Sequence, residues 1–379
     1  MVALNQSHKA IDSAQIVVIK VGSALLVDDA SNAINAKWLA GIAADIAALR
    51  DQGKQVVVVS SGAIALGSRV LGLSGATALL EEKQAAAATG QVVLAHAWMD
   101  ALAAHEVKTA QILLSPEDTE TRRRHLNARA TMKALLALGA VPVVNENDTV
   151  ATAEIRFGDN DRLAARVAAM ISADMLVLLS DVDGLYSANP REDMSATHLA
   201  TVTALTQDIM SMAGAPNAAY ASGGMVTKLE AARISTTAGC QMVICDGRTE
   251  QPLRALKAGA RSTLFAAEET PRAARKQWIG GALNPKGSIM VDAGAAKAMA
   301  NGRSLLPAGV TAVHGDFDRG DLIAVENGDG TIIGRGLSAY AAADARLIAG
   351  HKSGEIEGLL GYRGRDELVH ADNLVMVEF

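Results

Sequence analysis

From residue 15 to residue 245 the chain repeats one pattern. A short apolar run is followed by a longer stretch with apolar residues at helical spacing. The runs over 15–21, 55–60, 109–114, 141–145, 175–180 and 242–245 are mostly β-branched or aliphatic with few polar positions, as in strands buried on both faces. Helical spacing fills the intervals. It covers 35–50, with Asn35 as an N-cap and Gly53 just past the end, and then 81–105, 122–138, 162–172 and 225–238. This alternation predicts an α/β fold with a mostly parallel sheet sandwiched by helices. Ligands of such sheets bind beyond the carboxyl ends of the strands.

After about residue 265 the pattern changes. A charged, helix-like connector spans 266–277, and from Gly287 onward the apolar segments are short and separated by glycines. That predicts a small β-rich domain. The expected division is a first domain over 1–265, a linker over 266–286 and a second domain over 287–379. A length of 379 residues, too great for one ordinary core, agrees with it.

Composition narrows the function. Half of the residues are hydrophobic and 20% are charged, which excludes a wholly disordered chain. Aromatics are only 3%, which argues against a base-stacking surface. The net charge of −6 gives no general attraction to nucleic acid or anionic membrane. Residues 1–14 lack the apolar core of a secretion signal, and the longest uncharged stretch, 209–227, is polar and broken by Pro216. Cys240 and Cys245 are too few for a disulfide framework or a four-cysteine zinc site and read as reduced thiols. A cytoplasmic protein is expected.

Candidate chemistry collects where strands end. The first strand closes on Lys20-Val21-Gly22-Ser23. A lysine within an apolar strand needs a partner or a cleft for its ammonium, and an edge position would also serve. Ser60-Ser61-Gly62-Ala63 opens a helix, either as an anion site or as a serine cap. Asn145-Glu146-Asn147-Asp148 follows the run VPVV, and Gly158-Asp159-Asn160-Asp161 opens the next helix. Two such clusters on the ligand side of one sheet suit a cationic amino group or a metal. Ser180 and Asp181 end the run MLVLLS and begin a turn. In Ser222-Gly223-Gly224-Met225-Val226-Thr227-Lys228, backbone N–H groups, a helix start and an ammonium converge, which suits a polyphosphate. The glycine-rich phosphate loop ending in Gly-Lys-Ser/Thr is absent. Two lysines with carboxylates and no nucleophile–base pair point to phosphoryl transfer, which depends on positioning and charge neutralisation.

KVGSALL, VVSSGAIALG, NENDTVAT, FGDNDRLAA, LLSDVDGLYSANP and SGGMVTKLEAA, in this order, closely resemble the amino-acid kinase family. The nearest likeness is to members that phosphorylate the side-chain carboxylate of L-glutamate with ATP, the first step of proline biosynthesis. SLLPAGV, GDFDRGDLI and IAGHKS resemble the PUA domain that many bacterial members carry. The resemblance implies that Lys20 and Lys228 contact ATP and the moving phosphoryl group while Asp161 organises them. It implies that Ser61, Asp148 and Asn160 bind glutamate. Ser180, Asp181, Ser222, Gly223, Gly224, Met225, Val226, Thr227 and Lys228 would bind ATP. It further implies Mg²⁺ without assigning it protein ligands, a dimer or tetramer through the kinase domain, and inhibition by proline. Other kinases of the family, acting on acetylglutamate, aspartate, carbamate or a nucleoside monophosphate, are the first rivals. The second is an RNA-binding role for the C-terminal domain. Residues 275–379 hold 11 lysines and arginines against 13 acids, which argues against a basic RNA surface.

Overall fold

Six parallel strands form the body of an eight-stranded sheet. In chain order its strands are β1 (Ile16–Val21), β2 (Gln55–Ser60), β3 (Lys108–Leu114), β4 (Ala140–Glu146), β5 (Met175–Ser180), β6 (Thr201–Val202), β7 (Gln241–Asp246) and β8 (Ser262–Phe265). Their order across the sheet is β6-β8-β7-β5-β1-β2-β4-β3. The β7–β8 pairing is antiparallel and the rest are parallel. The computed structural model describes residues 6–28, 33–73, 79–150, 160–213, 224–281 and 284–377. The chain divides into two compact units, Met1–Pro271 and Arg272–Phe379. Among the described residues no helix is long and apolar enough to cross a membrane.

Side-chain alternation explains the two layers of the first unit. Val17, Ile19 and Val21 join one core with helices α1 (Ala36–Asp51) and α2 (Ala63–Leu71) and with Leu94 and Trp98 of α3 (Leu80–Ala103). Val18 points the other way. It joins a second core with helix α4 (Arg122–Ala137), with Leu163 and Val167 of α5 (Asn160–Ile171) and with Leu229 of α6 (Met225–Thr237). Lys20 shares the face of Val18, so the alternation that builds the core aims its ammonium towards α5 and α6. Strand β1 lies between β5 and β2, and Lys20 is buried, which sets aside the edge-strand reading.

Two strands of this sheet were not expected. Thr201–Val202 is only two residues long, and Ser262–Phe265 begins with two polar residues. Ser262 and Thr263 are nevertheless fully buried. The expected helices and strands are present with ends shifted by one or two residues, as for the helix read over 162–172 that begins at Asn160. Within the stretch read as a linker, 266–286, lies helix α7 (Pro271–Gly281). Its Arg275 donates to Asn373 Oδ1 (3.0 Å), and its Gly280 carbonyl accepts from Arg335 (3.0 Å).

The second unit has its own five-stranded sheet and core. Its strands are β9 (Gly287–Val291), β10 (Val310–Gly315), β11 (Leu322–Glu326), β12 (Ile332–Leu337) and β13 (Leu374–Met376), in the order β10-β9-β11-β12-β13. Ile289, Phe317, Ile323, Val325 and Leu368 fill the core.

Helices α2 and α3 cross at backbone contact. A Cβ on Gly67 would sit 1.7 Å from the Ala86 carbonyl oxygen, and one on Gly90 would sit 1.8 Å from that of Ala63. Gly67→Ala must therefore push the helices apart. It is expected to lower unfolding stability by about 1–3 kcal/mol in urea denaturation, whereas Gly72→Ala, beyond the crossing, acts only through its positive φ of 66°.

Candidate active site

Every strand in the middle of the first sheet delivers a polar group at its carboxyl end. β1 ends with Lys20 near its last position, β2 with Ser60 and then Ser61, β4 with Asn145, and β5 with Ser180. Helices α5 and α6 begin over the same end, with Asn160 and Asp161 on one and Met225 to Lys228 on the other.

Asp161 is fully buried and holds two lysines. Its Oδ1 lies 2.6 Å from Lys20 Nζ and its Oδ2 lies 3.0 Å from Lys228 Nζ, each lysine side chain being about a tenth exposed. Thr227 donates its hydroxyl to the Gly224 carbonyl at 2.9 Å, and the same oxygen lies 3.4 Å from Oδ2. Burial alone would raise the Asp161 pKa. The two ammonium charges outweigh it, and the carboxyl titrates below the ordinary aspartate value. Lys228 is thus no surface lysine. The three groups form a fixed, net positive cluster that leaves donor hydrogens on both ammonium groups for a further anion.

The neighbouring residue, Asn160, faces a different set of partners, because consecutive helical positions point about 100° apart. Its Nδ2 lies 2.6 Å from Ser61 Oγ, 3.0 Å from Asn145 Oδ1 and 3.2 Å from the Ser60 carbonyl. Asn145 donates to Gln91 Oε1 at 2.8 Å, and Trp98 Nε1 donates to Ser60 Oγ at 2.9 Å. The serine-cap reading of this turn fails. Gly62, at a φ of 109°, caps α2 without a side chain, and Ser61 is committed to Asn160. Asp148 sits half-buried in the turn after β4, where the Asn147 N–H is tied to the Leu114 carbonyl at 2.8 Å.

A cavity of about 740 Å³ opens beside Lys228. Asp181, Gly224, Met225 and Lys228 line it, together with Tyr186 and Arg248. Ser180 donates to Asp181 at 3.2 Å, and Asp181 faces Arg191 at 3.7 Å. Val226 lies in the first turn of α6, while Ser222 and Gly223 fall outside the described residues. The structure therefore joins Lys20, Asp161 and Lys228, joins Ser61 and Asn160, and puts Asp181 with the start of α6 on one cavity. Among the described residues no group of three or more histidine, cysteine or acidic side chains is gathered to hold a metal. Sequence reading missed Gln91 and Arg248. Gln91 had a signal: it lies on the stripe Ala87, Leu94 and Trp98, whose spacing marks the buried face of α3.

The Asp161 pKa shift fixes a sign for stability. A carboxyl that titrates lower in the folded chain than in the unfolded one contributes fully above its unfolded value of about 3.9 and loses that contribution as the pH falls through its folded value. Asp161→Asn should therefore cost most stability near pH 6–7, and the gap to the unaltered chain should narrow below about pH 4. Urea unfolding midpoints across that range measure it.

A model of the amino acid kinase family matches residues 15–246, and a PUA domain model matches residues 287–360. The glutamate 5-kinase of Paramagnetospirillum magneticum is 59% identical over 364 residues, covering 96% of this chain and 98% of that protein. That of Gluconobacter oxydans is 56% identical, covering 96% of each. UMP kinase from Ureaplasma parvum superposes on 66% of this chain and 98% of its own with a TM-score of 0.46 and 14% identity, too loose a likeness to carry weight. With a family match over most of the first unit and high identity along nearly the whole of both chains, this chain belongs to the amino acid kinase family, as a phosphotransferase with a C-terminal PUA domain.

Proposed function

We propose that this enzyme transfers the γ-phosphoryl group of ATP to the side-chain carboxylate of L-glutamate. The product is L-glutamyl 5-phosphate, the start of proline biosynthesis. The observation that carries the reading is the buried Lys20–Asp161–Lys228 cluster at the edge of the cavity. The glutamate 5-kinase names of its relatives supply the acceptor.

The chemistry follows from charge. A glutamate side chain with a pKa near about 4.3 is already ionised at neutral pH, so no general base is required. One carboxylate oxygen attacks the γ-phosphorus as the bond to the β,γ-bridging oxygen breaks, and ADP leaves. Lys20 and Lys228, fixed by Asp161, donate their remaining hydrogens to phosphate oxygens as charge shifts towards the leaving group. Ser61 and Asn160 hold the amino acid next to them, with Asp148 facing its ammonium. Ser180, Asp181 and residues 222–228 hold the nucleotide. Magnesium would accompany the nucleotide and offset negative charge on its phosphates.

Inhibition by proline and assembly as a dimer or tetramer through the first unit belong to the same proposal. Ile64, Val70, Leu80, Val92 and Met99 leave apolar side chains exposed on α2 and α3, which supports such assembly.

Trapping the acyl phosphate with hydroxylamine tests the reaction. With ATP and Mg²⁺, hydroxamate is expected from glutamate and not from aspartate or acetylglutamate, and added proline should lower the rate. Product from either of the other acids, with none from glutamate, refutes the reading. Lys228→Ala should lower kcat at least about 100-fold in a chain that still folds. Asp148→Ala should raise the KM for glutamate about 10- to 100-fold with kcat little changed.

A further inference from the structure

One wall of the cavity is built by the segment after β5, where Asp183, Gly184, Leu185 and Tyr186 all line it. This segment has little support from its own length. Leu185–Tyr186 pairs with only two residues, His198–Leu199, in an isolated two-stranded ribbon. A pair so short is not stable by itself. Its support comes from β8, the short strand whose polar sequence hid it.

Thr263 of β8 is fully buried, and its hydroxyl connects three segments. It accepts from the Leu185 N–H at 2.7 Å and donates to the Leu199 carbonyl at 2.6 Å, with His198 Nε2 lying 3.4 Å away. One oxygen thus bonds to both strands of the ribbon. Arg261 lies in the bend just before β8, two residues earlier. It donates to the Tyr186 hydroxyl at 3.1 Å and faces Asp183 at 3.6 Å, while Tyr186 donates to Asp183 at 2.9 Å. The approach is close enough to require a glycine. A Cβ on Gly184 would lie 2.4 Å from Thr263 Oγ1 and 2.5 Å from His198 Nε2, and its φ of 150° is itself one that L side chains rarely adopt.

We propose that Thr263 is a positioning residue for the nucleotide: its hydroxyl fixes the 183–186 wall of the cavity in the shape that receives ATP. The inference rests on the reading of this cavity as the ATP site. Valine has the shape of threonine without the hydroxyl, so Thr263→Val removes two bonds and strands a buried N–H and a half-buried carbonyl. Serine keeps the hydroxyl. The loss falls on the nucleotide wall and leaves the Ser61–Asn160 side of the site intact.

The test compares the unaltered chain with Thr263→Val, Thr263→Ser and Gly184→Ala. Nucleotide affinity is read by calorimetric titration with MgADP, KM for ATP and for glutamate by the hydroxamate assay, and folding by thermal unfolding. Thr263→Val should weaken MgADP binding and raise the KM for ATP by about tenfold, leaving the KM for glutamate within about twofold. Thr263→Ser should restore both nucleotide values to within about threefold. Gly184→Ala disturbs the same wall from the opposite side and should weaken MgADP binding even where Thr263→Val folds poorly. MgADP binding unchanged in folded Thr263→Val or in Gly184→Ala overturns the proposal, as does an equal rise in both KM values. An unaltered chain that binds MgADP but yields no glutamate hydroxamate refutes the glutamate reading instead, and the binding titrations still decide the role of Thr263.

Discussion

Two ammonium groups repel one another strongly in a protein interior unless a carboxylate stands between them. Asp161 stands there, 2.6 Å from one and 3.0 Å from the other, and the rest of the first unit is arranged so that it can. Lys20 reaches it because β1 lies inside the sheet and alternation sends every second side chain to the α5 and α6 face. Lys228 reaches it because α6 begins over the same strand ends. A buried trio of this kind adds little to stability, since desolvating its charges offsets most of their attraction. Its value is a pair of cations held in place before an anion arrives.

The adjacent residue extends the same logic to a neutral network. Asn160 turns towards β2 and β4, where Ser61, Asn145 and Gln91 are joined through its amide and that of Asn145. Consecutive positions at one helix start thus serve two halves of a site. On the proposed reading, Asp161 organises the groups that face phosphate, and Asn160 organises those that face the amino acid. Any shift of α5 along its axis would move both halves together. The close crossing of α2 and α3 at Gly67 and Gly90 fixes the elements that carry Ser61 and Gln91.

Much of this was legible in the residues. Continuous aliphatic runs gave the strands, their ends gave Lys20 and Ser61, and the helix starts over the same end gave Asn160, Asp161 and Lys228, because a parallel sheet gathers chemistry at one end. What escaped was of two kinds. Strands β6 and β8 are too short and too polar to produce a hydrophobic pattern, and they exist because β7 offers β8 an edge and β8 offers one to β6. Gln91 and Thr263 are buried polar residues whose partners lie 54 and 64–78 positions away. No local spacing encodes such pairings, although Gln91 betrays itself by sitting on an apolar stripe.

The central claim is that Asp161 acts through the two lysines and has no separate contact with the reacting groups. A double-mutant cycle on kcat tests it directly, pairing Asp161→Asn with Lys20→Met and Lys228→Met together. If Asp161 works by holding the ammonium groups, its substitution lowers kcat severely in the unaltered chain and has no further effect once both lysines are gone. If Asp161→Asn lowers kcat by the same factor in both backgrounds, the carboxylate acts independently of the lysines and the account is wrong.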